Sequence, residues 1–276
     1  MKRLVALCII LCALVASSAA QFIPPINIIS TSSGGAKNWI VTNQGTNYGT
    51  TLSRALSPVS TIPVGSLVVV CFIERTNTGT SPTITDTSFN TYTSIKHQLF
   101  GSSTGYIDIL SSNLTTQLTA TSTITGAPVT SSNASGMLVL SANVGGTVDA
   151  AVTNSNSSAG GYVTVTSGTP GQANELFVAC AGNSNNAFAM SNDGGNGWAA
   201  PFTSGGESGS GASDVAGGGG NQVNAGTGTI AFAPTLTGSA QAANALLVAG
   251  FMPLVVITLI PVTPPDQLFT RTNIMY

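Results

Sequence analysis

The residues of this chain that could do chemistry are few and far apart. His97 is its only histidine, which removes most metal sites and most general-base schemes, and it falls in a run that reads as an ordinary strand. A G-x-S-x-G pattern occurs at Gly101-Ser102-Ser103-Thr104-Gly105. A nucleophile elbow needs a strand before that pattern and a helix after it, so that the serine hydroxyl is lifted out at a sharp turn. Here the pattern lies between two strand-like runs and reads as a hairpin loop. Gly226-Thr227-Gly228-Thr229-Ile230-Ala231 copies the spacing of a dinucleotide fingerprint, yet it leads into a strand rather than the helix whose N-terminus would hold pyrophosphate. The acidic residues are scattered. Asp86 and Asp193 occupy similar turns with Asn90 and Asn196, and such oxygen-rich pairs can ligate calcium. Neither turn supplies the several carboxylates of a tight site, and Asp and Asn in turns more often bond their own backbone. With no paired acid and base, the sequence predicts a non-enzymatic protein with no catalytic residue, cofactor or metal ligand.

Binding chemistry is better represented. Tyr92 and Trp198 close the two Asp/Asn turns and are candidate glycan contacts, because an aromatic face can stack on a sugar ring; packing at the rim of the fold is the competing role. Asn113, Asn133 and Asn156 each begin an Asn-x-Ser/Thr acceptor for N-glycosylation, a surface modification of secreted proteins.

The ends point to export. Lys2 and Arg3, an apolar run from Leu4 to Val15 and the small residues Ser18-Ala19-Ala20 have the layout of a signal peptide over 1–20, cleaved before Gln21. The apolar run is too short to span a bilayer, which takes about 20 residues. Only 6% of the chain is charged and the formal net charge is −2, where about a quarter charged is usual. After Ala20 the basic residues are Lys37, Arg54, Arg75, Lys96 and Arg271, too dispersed for a nucleic-acid surface. Solubility therefore rests on Ser, Thr, Asn and Gly. Near the other end, Leu246 to Val262 is almost wholly apolar but broken by Pro253 and Pro261. Its β-branched cluster suits a strand better than a membrane anchor, and Val255, Val256, Ile257 and Leu259 form a candidate assembly strand that could complete a neighbour's sheet edge.

Between the ends, runs rich in Val, Ile, Thr, Tyr and Leu alternate with Gly, Asn, Ser and Pro clusters, the pattern of a sandwich or barrel. Expected strands are 39–42, 67–74, 91–99, 106–110, 117–124, 136–143, 162–166, 175–181, 227–233 and 243–251. Those such as Leu67-Val68-Val69-Val70-Cys71-Phe72-Ile73 are apolar on both faces, so they must be covered on both. Ser66 to Cys71 matches Glu175 to Cys180, and Gly136 to Leu140 matches Ala245 to Ala249, both at a spacing of 109 residues. Order and spacing agree, which indicates an internal repeat. The predicted fold is an all-β, jelly-roll-like or Ig-like antiparallel sandwich over 60–253, built from repeated halves of about 60–150 and 169–253. An N-terminal extension (21–59) precedes it and a C-terminal strand and tail (254–276) follow. The glycine-rich tract from Ser204 to Gly228 reads as a surface loop that replaces the middle strands of the second half. Cys71 and Cys180 occupy matching positions of the repeat and meet only if they lie near a pseudo-twofold axis. They are a disulfide candidate in an oxidising compartment, or a pair of free thiols buried in apolar strands.

The string Val64-Gly65-Ser66-Leu67-Val68-Val69-Val70, the turn from Asp86 to Tyr92 and the string Ala173-Asn174-Glu175-Leu176-Phe177-Val178-Ala179 resemble uncharacterised β-sandwich modules of secreted bacterial and phage structural proteins. The resemblance runs from about Pro63 to Phe251, implies a sandwich with a structural or surface-binding role, and brings no functional residues with it. The expected function is a secreted, extracellular or cell-surface structural subunit that self-associates through its terminal strands. The alternative is a carbohydrate-binding or adhesion module whose partner is a polysaccharide.

Overall fold

The computed structural model describes residues 38–50, 53–75, 80–101, 105–128, 134–159, 163–184, 188–190, 196–202, 215–234, 236–238 and 243–254. They belong to one unit, Ala36–Leu254, and contain strands but no α-helix. The first strands are β1 (Val41–Gly49), β2 (Arg54–Leu56), β3 (Leu67–Glu74), β4 (Thr83–Asp86), β5 (Thr93–Leu99), β6 (Tyr106–Asn113), β7 (Ile124–Ala127) and β8 (Ser135–Ala142). They are followed by β9 (Gly146–Ser158), β10 (Val165–Thr166), β11 (Glu175–Asn183), β12 (Phe188–Met190), β13 (Ala199–Phe202), β14 (Ala216–Asn224), β15 (Ala231–Phe232), β16 (Leu236–Gly238) and β17 (Asn244–Pro253).

Two five-stranded antiparallel sheets form the body, in the orders β1-β8-β3-β6-β5 and β13-β14-β11-β17-β9. A three-stranded sheet, β2-β7-β4, lies outside the first, and the short ladders β10-β15 and β12-β16 accompany the second. This layering explains the strands that are apolar on both faces. Leu67, Val69, Cys71 and Ile73 enter the core shared by the two large sheets. The residues between them, Val68, Val70 and Phe72, pack with Leu56, Ile84 and Ile124 of the outer sheet. On the other side, Phe177, Ala179 and Ala181 pack with Trp198 and Phe232. Each fully buried Val, Leu, Ile or Phe contributes about 1.5–3 kcal/mol, so a strand covered on both faces is a large fraction of the stability of such a domain.

The ladders of the two sheets correspond in register. In β3–β8, Leu67 pairs with Ala142, and the pairing continues without interruption to Glu74 with Ser135. In β11–β17, Leu176 pairs with Phe251, continuing to Asn183 with Asn244. Each residue of the second ladder lies 109 positions beyond its counterpart, the separation that also relates Cys71 to Cys180. Gly65 and Asn174, just before β3 and β11, both have left-handed backbones, with φ of 81° and 63°. Glycine pays no steric cost there and Asn pays less than other residues.

Several elements depart from the expected ones. β1 and β2 fall inside the expected N-terminal extension, yet β1 pairs along its length with β8, so the sandwich begins well before residue 60. β9 spans the expected end of the first half and pairs with β17 of the second sheet. The glycine-rich tract is not a surface loop over its whole length. Ala216–Asn224 is the interior strand β14, paired on one side with β11 and on the other with β13. At Gly217 the requirement is steric: a Cβ there would lie 1.9 Å from Ile73 Cδ1 and 2.7 Å from the carbonyl of Ala181, so this position must lack a side chain for the facing sheet to approach. The expected strand 117–124 is mostly connection, with β7 starting at Ile124.

Candidate functional site

One end of the body carries several of the exposed apolar side chains found among the described residues. Leu67 of β3 stands opposite Asn113 of β6 and Ala142 of β8, Val41 of β1 opposite the same Ala142, and Pro253 of β17 opposite Gly146 of β9. These strand ends therefore share one end of the body. Around the turn from β8 to β9, the Ile40 N–H donates to Asn143 Oδ1 at 2.8 Å, and the Leu254 N–H donates to the Gly145 carbonyl at 2.8 Å. A Cβ on Gly145 would touch Leu254 Cδ2 at 3.3 Å and the Gly65 carbonyl at 3.1 Å. Ile40 is 64% exposed, Val64 beside Gly65 is 60% exposed, and Leu254 is 39% exposed. A groove runs beside them, lined by Ile40, Gln44, Ile62, Pro63, Ser141 and Asn143.

The Asp86–Tyr92 loop stands at this end too. Asp86 is buried, and its carboxylate accepts from the Ser88 N–H (2.8 Å), the Asn90 N–H (3.1 Å), Asn90 Nδ2 (3.0 Å) and the Tyr92 hydroxyl (3.0 Å). Burial, then the charge of Asp86 and the hydrogen bond to it, push the Tyr92 hydroxyl well above the usual phenol range. Asn90 carries the network onward, its Oδ1 accepting from the Thr115 and Thr116 N–H groups at 2.9 Å each. The carboxylate oxygens of Asp86 are thus occupied by donors, the arrangement of a structural turn. Phe89, at the tip, is 90% exposed with φ of 60°.

Two pairs of acids that are scattered along the sequence come together in the fold. On β6 and its neighbours, Asp108 accepts from Ser94 Oγ at 2.7 Å and lies 2.9 Å from His97 Nδ1. Beside it Tyr106 donates its hydroxyl to Glu74, and the His97 and Tyr106 rings are 4.8 Å apart. Burial and then Glu74 raise the Tyr106 hydroxyl. Ser94 bonds the acid rather than the imidazole, so the group is not ordered as nucleophile, base and orienting acid. At the start of β11, Glu175 is fully buried. Its carboxyl is pushed above the usual range first by burial and then by the charge of Asp149. The signal for Glu74 and Asp108 is a charge inside an otherwise apolar strand; Asp149 has no such signal, because the polar sequence of β9 does not mark a strand.

The other expected residues fall as follows. Trp198 is not a surface contact: it is 2% exposed, stacks on Phe232 with ring centroids 4.9 Å apart, and donates its indole N–H to the Ala231 carbonyl at 2.7 Å. A large apolar ring in a glycine-rich turn is drawn into the second half's outer core. Tyr92 is half-buried, its hydroxyl taken by Asp86. Cys71 and Cys180 form a disulfide, with Cα atoms 6.1 Å apart. Asn113 and Asn156 are exposed, but their amides are in use: Asn113 Nδ2 donates to the Gly146 carbonyl at 2.9 Å and Asn156 Nδ2 to the Thr164 carbonyl at 2.8 Å. Asn133, Ser103, Asp193 and the assembly residues Val255, Val256, Ile257 and Leu259 lie outside the described residues. Gly101 and Gly105 join the paired strands β5 and β6, a hairpin. Among the described residues no group of three or more His, Cys, Asp or Glu is placed to hold a metal ion, and no helix is long and apolar enough to cross a membrane.

Fold and site together define a disulfide-linked all-β sandwich with one apolar end. Comparison with protein-family models, curated proteins and solved structures finds no match.

Proposed function

We propose that this chain is a secreted structural subunit that assembles with copies of itself through the apolar end of its sandwich. The observation that carries the reading is the patch of Ile40, Val64 and Leu254 around the β8–β9 turn, from which the sequence runs directly into the apolar stretch Val255-Val256-Ile257-Thr258-Leu259. Added to a neighbour's sheet edge, that stretch would satisfy backbone groups and bury apolar surface in one step. The leader-like first 20 residues and the disulfide both favour an oxidising compartment outside the cytoplasm. The register correspondence of the two sheets supports a chain built by duplication of one half. Resemblance to secreted structural modules agrees with this role.

The test is sedimentation velocity and electron microscopy of the secreted protein across a range of concentrations, beside a chain ending at Leu254 and the variant Ile40→Asp. Filaments or lattices that grow with concentration in the full chain, and are lost in both variants, are expected. A full chain that stays monodisperse at every concentration would overturn the proposal.

The carbohydrate reading is the second one, and Phe89 is the observation that favours it.

A further inference from the structure

Phe89 combines two properties that folding alone does not favour. Its side chain is 90% exposed, so it contributes almost nothing to the core. Its backbone is left-handed, with φ of 60°, a region that costs a bulky residue steric strain and is normally left to Gly or Asn. The strain is imposed by the surroundings. Asp86 holds the N–H groups of Ser88 and Asn90 on either side, the Phe89 N–H itself donates to the Asp86 carbonyl at 3.1 Å, and Ser88 Oγ is tied to the Gln117 carbonyl at 3.0 Å. An outlier held this firmly, with its side chain pointed at solvent, is the kind found at binding sites.

We infer that Phe89 is the stacking platform of a binding site for neutral glycans. The inference goes beyond the assembly reading and does not rest on it. The residues around the tip decide the ligand class. Thr87, Thr91, Thr115, Thr116 and Gln117 are all exposed, and neither 86–92 nor 115–117 contains Lys or Arg. An apolar protein partner would need more apolar area than a single ring, and an anionic ligand would need a cation. A sugar ring presents a C–H face to an aromatic ring, whose face is electron-rich, and hydroxyls at its edge to a rim of hydroxyl and amide groups. The ring is rigid and already placed, so little ordering entropy is lost on binding. The corresponding turn of the second half reads Asp193-Gly194-Gly195-Asn196-Gly197-Trp198, with glycines and no aromatic between its Asp and its Asn, so the sequence does not repeat Phe89.

The experiment is affinity electrophoresis of the full chain through gels containing dextran, galactomannan or mixed-linkage β-glucan, with dextran sulfate as the charged comparison. Wild type and Phe89→Trp are expected to be retarded by at least one neutral polysaccharide. Phe89→Leu and Phe89→Gly should bind it about tenfold more weakly or worse, while Phe89→Gly melts at a higher temperature than wild type because the strain is gone. Failure of every neutral polysaccharide to retard the wild type overturns the inference, as does equal retardation of Phe89→Gly. Retardation by dextran sulfate alone overturns it too, and so would a Phe89 variant that alters only sedimentation, which would make the ring a protein contact.

Discussion

Cys71 and Cys180, joined by the disulfide, occupy the same place in their two sheets. Cys71 pairs with Ile109 on one side and Leu138 on the other, Cys180 with Gly219 and Leu247. Both lie in the shared core, so the bond ties the sheets together at their middle, and it closes a loop with a sequence separation of 109 residues. In the chain-entropy account a loop of that length is worth about 4–5 kcal/mol. Replacing both cysteines by Ala should lower the urea midpoint by a corresponding amount. A reductant should shift the wild type and leave the double variant where it is; equal midpoints in all three would show that the sheets are held without the bond.

Gly217 makes a second prediction. Since its missing Cβ leaves room for Ile73 of the facing sheet, Gly217→Val must displace either that side chain or the Ala181 backbone, and overpacking of this kind costs about 1–3 kcal/mol or more. Gly228, around which an added Cβ meets nothing within 4 Å, should accept Ala with little change. Thermal melts of the two variants read the contrast directly, and two neutral substitutions would return the tract to the surface.

These glycines mark the limit of what sequence pattern could reveal. β3 was legible to the residue, because a run of β-branched and apolar side chains is itself the signal. β14 has no such signal: its run of glycines reads as loop, and the close approach of Ile73 to Gly217 is visible only in the tertiary structure. β9 is mostly polar and mostly not buried, so no apolar run marks it. At the site, the Asp86–Tyr92 turn was legible but its exposed aromatic was not, since Tyr92 and Trp198 drew attention by their type. That Phe89 adopts a left-handed backbone follows from Asp86 and Asn90 being anchored to different segments, which only the tertiary structure displays.

Glu175 makes stability depend on pH in an unusual direction. A carboxyl whose value is raised in the folded state binds its proton more tightly there than in the unfolded chain, where it titrates near 4.3. The native state therefore holds the extra proton between the two values, and stability falls as pH rises through that window. Burial and the facing Asp149 are the causes. Glu175→Gln keeps the shape of the protonated acid and removes the ionisation. It should melt with the wild type at pH 4 and above it at pH 8. A difference independent of pH would mean that the effect is one of packing.

Asp86 supports the loop that carries Phe89, and the two residues should separate in their effects. Asp86→Ala leaves the N–H groups of Ser88 and Asn90 without their side-chain acceptor and takes one of the two acceptors of Asn90 Nδ2, which keeps the Thr116 carbonyl. The Tyr92 hydroxyl loses its acceptor as well. Hydrogen bonds to a charged group are worth about 1.5–3 kcal/mol each, and buried donors left unpaired add their own penalty, so this variant should be strongly destabilised and lose glycan retention as the loop relaxes. Phe89→Gly removes only an exposed ring and a strained φ, and relief of left-handed strain at a non-glycine residue is worth about 1–2 kcal/mol. The expected pattern is a lower melting temperature for Asp86→Ala, a higher one for Phe89→Gly, and loss of retention in both. Such opposite signs would identify a position where stability has been given up for presentation of the ring. If Phe89→Gly melted below the wild type, the left-handed backbone would not be a net cost to the fold, and the trade of stability for presentation would be overturned.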